Sequence, residues 1–281
     1  MNAISRVTVF GLAIAVATGF ALSQGQLLRL KLAEDSKDVY DVKMTGDTTI
    51  DVPGMGSQSV NFMGSMKYTI KVGKKDAESG KFAIEFITSD MQFESDMGDM
   101  GAMPGMDREM IVTGKIDDRY RISDVKNQSS NAMFAMATGS MSSFNMGIEL
   151  PEGPVKVGDS WEVTVPPNPA MPSNKPAKLN ATLLGEQVRD GLAVWEIAIK
   201  GEIDIDIDTS KMEGAADAMQ GMNAKVTGKV ALTGKTYLAK ETGKLVSSEL
   251  SAKSTQVTEL VDMGMTMNME GTMKQEMKLK K

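Results

Sequence analysis

The sequence contains neither cysteine nor histidine. The absence of cysteine excludes disulfide bonds, thiolate metal sites and cysteine nucleophiles. The absence of histidine removes the commonest general base near neutral pH and the commonest nitrogen ligand for metal ions. Serine-hydrolase and phosphate-loop motifs are also missing, and nothing selects a catalytic pair from the 37 acidic residues. We therefore expect a protein that is not an enzyme and has no cofactor.

Positive charge is in the minority. Lys and Arg total 31 against 37 Asp and Glu, which gives a formal net charge of −6. Nucleic acids and anionic membranes attract proteins through an excess of basic residues. The sequence therefore argues against nucleic acid or an anionic membrane as the main partner.

A single long apolar run is present, Val7–Leu22, and it follows Arg6 near the N-terminus. It is shorter than the roughly 20 residues that a membrane-spanning helix needs. Ala21 and Ser23 supply small residues at the positions of a cleavage site. We predict a signal peptide over residues 1–23 and export to the periplasm or the extracellular space. The cleaved chain is then not an integral membrane protein.

Beyond the signal peptide, apolar and polar side chains alternate with period two, which is typical of strands with one buried face. In one block the apolar positions are Met66, Tyr68, Ile70 and Val72, and in a second they are Trp195, Ile197, Ile199, Ile203, Ile205 and Ile207. This alternation predicts a mainly all-β fold of curved antiparallel strands. Both tryptophans, Trp161 and Trp195, occupy apolar positions and are expected in the core.

The motif LPEGP at Leu150–Pro154 divides the chain, because its prolines cannot continue a helix or a central strand. We predict two tandem β modules, residues 24–150 and residues 151–281. One short helix is predicted near the junction, over Asn131–Phe144, where β-branched residues are scarce. Whether the modules share one sheet is left open.

Short matches between the halves indicate an internal duplication. Gly80 matches Gly191, Tyr40 matches Trp161 in KDVYDV and GDSWEV, and Lys115 matches Lys235 in VTGK and LTGK. The three matches keep the same order along the chain.

Two longer stretches carry a family resemblance: PEGPVKVGDSWEV from Pro151 and GKTYLAKETGKLVSSELS from Gly234. In these two stretches of sequence the chain resembles a family of uncharacterised exported bacterial proteins. In that family the first segment opens a second β module, and the second closes the sheet. More loosely, and without a motif, the layout is similar to the bacterial lipoprotein carriers, which hold acyl chains between a curved sheet and a helix. The resemblance implies an exported β protein.

Methionine is unusually frequent, with 25 residues, and two rows stand out. Met97, Met100, Met103 and Met106 recur every third residue, a spacing that aligns side chains in an extended left-handed segment. Met263, Met265, Met267 and Met269 recur every second residue, so a strand would place all four on one face.

Three interpretations of these rows stay open. Thioethers suit Cu(I) and Ag(I), so Met97, Met100, Met103 and Met106 are candidate metal ligands, although such sites usually include histidine. Methionine also fills irregular apolar surfaces without any ligand, as in a purely structural envelope component. A methionine-covered sheet face has to meet something apolar, so Met263, Met265, Met267 and Met269 are candidate binding residues for an apolar small molecule, a lipid or an envelope protein.

An acidic row on one predicted strand, Glu202, Asp204, Asp206 and Asp208, suggests a Ca²⁺ site at first sight. Same-face neighbours along a strand lie roughly 6.5–7 Å apart, too far for successive carboxylates to enclose one ion. We therefore interpret the row as a solvated face.

Overall fold

The computed structural model describes residues 25–54, 56–96, 109–128, 147–165, 176–211 and 223–280. Within them the chain forms eleven strands in a single antiparallel sheet, which confirms the all-β prediction. The strands are β1 Lys37–Val52, β2 Gly56–Lys75, β3 Phe82–Ser95, β4 Met110–Ile116, β5 Ile122–Asn127, β6 Ser160–Val165, β7 Ala177–Arg189, β8 Leu192–Asp208, β9 Ala224–Ala239, β10 Leu245–Leu260 and β11 Met265–Leu279. The helical segments in this part of the chain are the 3-10 turns Thr209–Lys211 and Val261–Met263. The helix predicted over Asn131–Phe144 lies outside the described residues.

The sheet order is β5-β4-β3-β2-β1-β11-β10-β9-β8-β7-β6. Strands before Leu150 form one side of the sheet and strands after it form the other. The two sides join where β1 pairs with β11, from Tyr40 opposite Leu279 to Asp51 opposite Asn268. The halves therefore form one continuous sheet, a point that the sequence left open. The domain boundary at residues 150/151 stays a prediction.

The first match of the proposed duplication falls in equivalent turns. Gly80 lies in the turn of the β2–β3 hairpin, and Gly191 lies in the turn of the β7–β8 hairpin. Both glycines have positive φ angles, 68° and 79°, which glycine adopts without the steric cost of a Cβ. The duplication itself stays a prediction.

Period-two alternation gives the sheet one apolar face and one polar face. On β1, Tyr40, Val42 and Met44 are buried while Asp41 and Lys43 are exposed. Register pairing carries the apolar positions to the same face of every neighbouring strand, because directly opposed residues point the same way. The core lies against this face, and it includes side chains from both halves of the chain.

The sheet curls strongly toward its apolar face. Tyr120, in the β4–β5 turn, donates a hydrogen bond from its hydroxyl to Gly243 O at 3.1 Å, in the β9–β10 turn. Strands β4 and β10 are five steps apart in the sheet, which is roughly 24 Å if the sheet were flat. Contact between their turns therefore requires the sheet to bend round the core. We call this end of the sheet the closed end.

Residues before β1 cover the closed end. Leu28 and Leu30 are buried in the core. The Leu30 N–H donates to Asp118 O at 2.8 Å and the Lys31 N–H donates to Thr242 O at 2.7 Å, so this segment bridges the two turns. Gln26 pairs with Val155 in a short antiparallel bridge. The core is thus sealed at one end of the curled sheet.

The outer face of the sheet is mainly polar and carries several salt bridges. Lys229 on β9 forms salt bridges with Glu202 and Asp204 of the acidic row on β8. Across the residues that the structure describes, no three acidic side chains are grouped closely enough to hold a metal ion. In the acidic row, Glu202, Asp204 and Asp206 are exposed and Asp208 is half-buried. None of the described helices has the length and apolar character needed to cross a membrane.

Candidate functional site

Strand β11 carries a row of methionines on the inner, apolar face of the sheet. We define the Met row as Met265, Met267, Met269, Met273 and Met277. Met277 is 1% exposed within the core, whereas the other four are half-buried. The row therefore runs from the filled core at the closed end toward the opposite end of the sheet, where β10 turns into β11.

Met263 does not share this face, although its spacing predicted that it would. It ends the 3-10 turn Val261–Met263 between β10 and β11, and its side chain is 58% exposed. The turn closes on Gly264, which has a left-handed backbone conformation, so the period-two alternation begins only at Met265. Met265, Met267 and Met269 lie together on the inner face of β11.

Apolar side chains continue the Met row across neighbouring strands. In register, Met269 faces Ile50 of β1, and Ile205 of β8 lies in the same cross-strand row. Both isoleucines are half-buried. On β2, Val60 and Phe62 extend the surface on the other side. The result is a broad inner face whose side chains are neither fully packed nor fully exposed.

Two glycines leave room for aromatic rings on this face. A Cβ at Gly46 would stand 2.5 Å from Phe62 Cζ, and a Cβ at Gly64 would stand 2.6 Å from Phe93 Cε1. Each ring therefore occupies the space that a side chain on the adjacent strand would fill.

Polar groups interrupt the apolar surface along β10. Ser254 and Gln256 are half-buried on the inner face, and the Thr258 hydroxyl lies 3.9 Å from Met269 Sδ. In register, Ser254 lies opposite Gly271 of β11. The inner face is thus mainly apolar with a short strip of hydroxyl and amide groups.

Three buried tyrosines stand where the inner face meets the core. The Tyr40 hydroxyl donates to Leu245 O at 3.1 Å, and the Tyr120 hydroxyl accepts from the Leu245 N–H at 3.1 Å besides donating to Gly243 O. The hydroxyl of Tyr68, 1% exposed, has no hydrogen-bond partner among the described residues. Sequence reasoning identified Tyr68 only as a core position, because the alternation shows burial and does not show which hydroxyls are paired.

Burial raises the pKa of all three phenols. For Tyr40 the raised pKa comes first from burial and then from nearby Tyr120 and Asp38. For Tyr120 burial outweighs the hydrogen bond from the Leu245 N–H, which lowers the pKa. Burial is the cause of the raised pKa of Tyr68, and no charged group among the described residues contributes to it.

Both tryptophans belong to the core. Trp195 is 6% exposed, and the half-buried Trp161 donates from Nε1 to Glu149 O at 2.8 Å. The other methionine row, Met97, Met100, Met103 and Met106, lies outside the described residues. The soft-metal alternative depends on that row, and the described residues give it no support.

A scan against protein-family models finds no match, and a search of curated proteins finds none either. Among solved structures, a lipovitellin structure concerned with lipid–protein interactions matches at 12% identity and a TM-score of 0.48. The match covers 89% of this chain but only 26% of the lipovitellin chain, so this chain spans about a quarter of that protein's length.

Two bacterial structures also match. A DUF1329 family protein from Desulfovibrio piger is 12% identical, with 93% and 89% of the two chains covered and a TM-score of 0.17. A LolA superfamily protein from Nitrosomonas europaea is 11% identical, with 90% and 89% covered and a TM-score of 0.15. With TM-scores below 0.5, none of the three structures bears on function.

Proposed function

We propose that this protein is an exported, non-enzymatic binding protein that holds a long apolar molecule against the inner face of its sheet. The observation that carries the proposal is the half-buried inner face centred on Met265, Met267, Met269 and Met273. Apolar side chains gain stability when they leave water, at roughly 25 cal/mol per Å². A ligand that covers this face therefore gains binding free energy from surface that folding has only half removed from solvent.

The shape of the sheet favours a thin ligand. The sheet bends toward its inner face, so a narrow hydrocarbon chain fits better than the flat surface of a second protein. Methionine suits such a role, because its unbranched side chain can repack around ligands of different shape. Ligand pockets are mainly apolar with a few polar groups, and the strip of Ser254, Gln256 and Thr258 supplies such groups.

Fluorescence titration with N-phenyl-1-naphthylamine tests the proposal, because this dye brightens when it enters an apolar site. Purified wild-type protein is expected to bind the dye with saturation. Met269→Lys places a charge on the inner face, and binding should weaken by at least about tenfold. Met267→Gln, which is nearly isosteric and uncharged, should weaken binding less and guards against a fold defect in the lysine variant.

The chain offers two matched controls. Met63, on the outer face of β2, and Met263, in the 3-10 turn, are each 58% exposed. Met63→Lys and Met263→Lys should bind the dye like the wild type. Equal losses in all the lysine variants would show a nonspecific effect, and no saturable binding by the wild type would refute the proposal.

Mass spectrometry of a lipid extract from natively purified protein then identifies the ligand class. A co-purifying long-chain molecule at near-stoichiometric amount is the expected result. An empty protein that also fails to bind the dye contradicts the carrier interpretation.

A further inference from the structure

Tyr68 carries a buried hydroxyl on the inner face that no described residue pairs with. It lies on β2 directly opposite Tyr40 on β1, and its ring stacks on Phe86 with centroids 5.9 Å apart and planes 18° apart. Its hydroxyl has no hydrogen-bond partner within the described part of the chain. Phenylalanine would fill nearly the same volume without a buried hydroxyl.

A buried hydroxyl is costly unless a hydrogen-bond partner is supplied. A buried donor without a partner loses its hydrogen bonds to water and gains nothing in return. Tyr40 and Tyr120, in the same core, both have protein partners. Because no described residue pairs with the Tyr68 hydroxyl, a buried water or a bound molecule is the partner to consider.

Adaptable side chains separate Tyr68 from the half-buried part of the inner face. Along β2 the inner positions are Met66, which is buried, and then Gly64, about 13 Å from Tyr68 along the strand. On β1, which pairs with β2, and on β11, the next strand along, the buried residues include Met44 and Met277. Methionine is the side chain best able to rotate aside for an incoming ligand.

The surroundings also indicate the charge of the group that Tyr68 would meet. Lys244, beside the same core, is held by Asp38 through contacts of 2.8 and 3.1 Å, so it does not offer a free cation. Among the described residues no charged group contributes to the pKa of Tyr68, so an ionised carboxylate placed at this hydroxyl would be buried without a nearby counter-charge, at a large cost. An uncharged oxygen acceptor, such as an ester carbonyl, avoids this cost.

We propose that the ligand is a long-chain molecule with one uncharged oxygen acceptor, and that the Tyr68 hydroxyl donates a hydrogen bond to that oxygen. This inference rests on the proposed function, because it assumes a ligand on the inner face. The hydrocarbon part lies along the Met row and the acceptor reaches into the core.

Competition titrations on the purified protein test the inference. Methyl laurate and dodecane, which share a hydrocarbon chain and differ in the ester group, are used to displace N-phenyl-1-naphthylamine. Tyr68→Phe should weaken methyl laurate binding roughly three- to tenfold and leave dodecane binding unchanged. Tyr40→Phe is the matched control in register on β1, and it should not alter the ratio of the two affinities.

The outcomes distinguish a failure of the proposed function from a failure of the Tyr68 inference. If the wild type binds neither compound nor the dye, the proposed function fails and this inference fails with it. If both compounds bind and Tyr68→Phe leaves their ratio unchanged, the inference alone is overturned and a buried water is the partner. A Tyr68→Phe variant that loses affinity for both compounds equally also overturns it, because the effect is then not specific to the ester oxygen.

Discussion

The three buried tyrosines form a graded series for testing the core. Their hydroxyls take part in two hydrogen bonds at Tyr120, one at Tyr40 and none among the described residues at Tyr68. Replacing each by phenylalanine removes one oxygen and leaves the ring. The free energy of unfolding should therefore fall in the order of the hydrogen bonds lost.

The magnitudes follow from the partners that each substitution leaves unpaired. Removing one member of a buried hydrogen bond costs about 1–3 kcal/mol. Tyr40→Phe leaves Leu245 O without the phenol and should cost about 1–2 kcal/mol. Tyr120→Phe leaves both Gly243 O and the Leu245 N–H unpaired and should cost about 2–4 kcal/mol. Tyr68→Phe should be neutral or slightly stabilising without ligand.

Urea unfolding, followed by the fluorescence of the core tryptophans, measures these differences. The urea concentration at the unfolding midpoint should shift, whereas the dependence of the unfolding free energy on urea concentration should stay constant, because the area exposed on unfolding is unchanged. Tyr40 and Tyr120 share Leu245 as a partner, so the double variant should deviate from the sum of the single effects.

Two results would refute the reasoning. A loss for Tyr68→Phe as large as that for Tyr40→Phe would mean that the Tyr68 hydroxyl has a strong partner in the ligand-free protein. A negligible loss for Tyr120→Phe would mean that the β4–β5 and β9–β10 turns do not touch, and the sheet would then be less curled.

Three further predictions concern pH and packing. Burial acts to raise the pKa of Asp117, but hydrogen bonds from the Arg119 and Arg121 N–H groups and the Arg121 guanidinium outweigh it and lower the pKa. Its stabilising effect is thus present above about pH 4 and lost as the pH falls through the lowered value. Asp117→Asn should lower the free energy of unfolding in urea by about 1–3 kcal/mol at neutral pH. This difference from the wild type should shrink below about pH 4, and a difference that stays constant with pH contradicts the prediction. All four tyrosines have raised pKa values. In an alkaline titration, tyrosinate absorbance should therefore rise together with unfolding, above the ordinary tyrosine pKa of about 10. Reversible ionisation near pH 10 in the folded protein would be the contrary result. Gly46→Ala would place a Cβ 2.5 Å from Thr272 O and should lower the free energy of unfolding in urea by about 1–3 kcal/mol. Gly153→Ala, with open space around it, should leave the free energy of unfolding unchanged. Equal effects would contradict the packing of Phe62 over Gly46.

Local alternation was enough to predict the β fold and the division of residues between two faces. The four predicted apolar positions, Met66, Tyr68, Ile70 and Val72, are all buried. On β8, Glu202 and Asp204 are exposed and form salt bridges with Lys229. These outcomes depend on the period of two alone, which each strand carries in its own residues. The lack of cysteine and histidine likewise limits the chemistry of the chain regardless of its fold.

Only the tertiary structure decided how the strands meet. The pairing of β1 with β11 joins residues more than two hundred positions apart, and alternation does not name a strand's partner. Met263 left the predicted row because a 3-10 turn precedes β11, which is a matter of hairpin geometry. Only the tertiary structure shows that no described residue pairs with the Tyr68 hydroxyl. Hydrogen bonding in a core depends on long-range contacts, which no local pattern encodes.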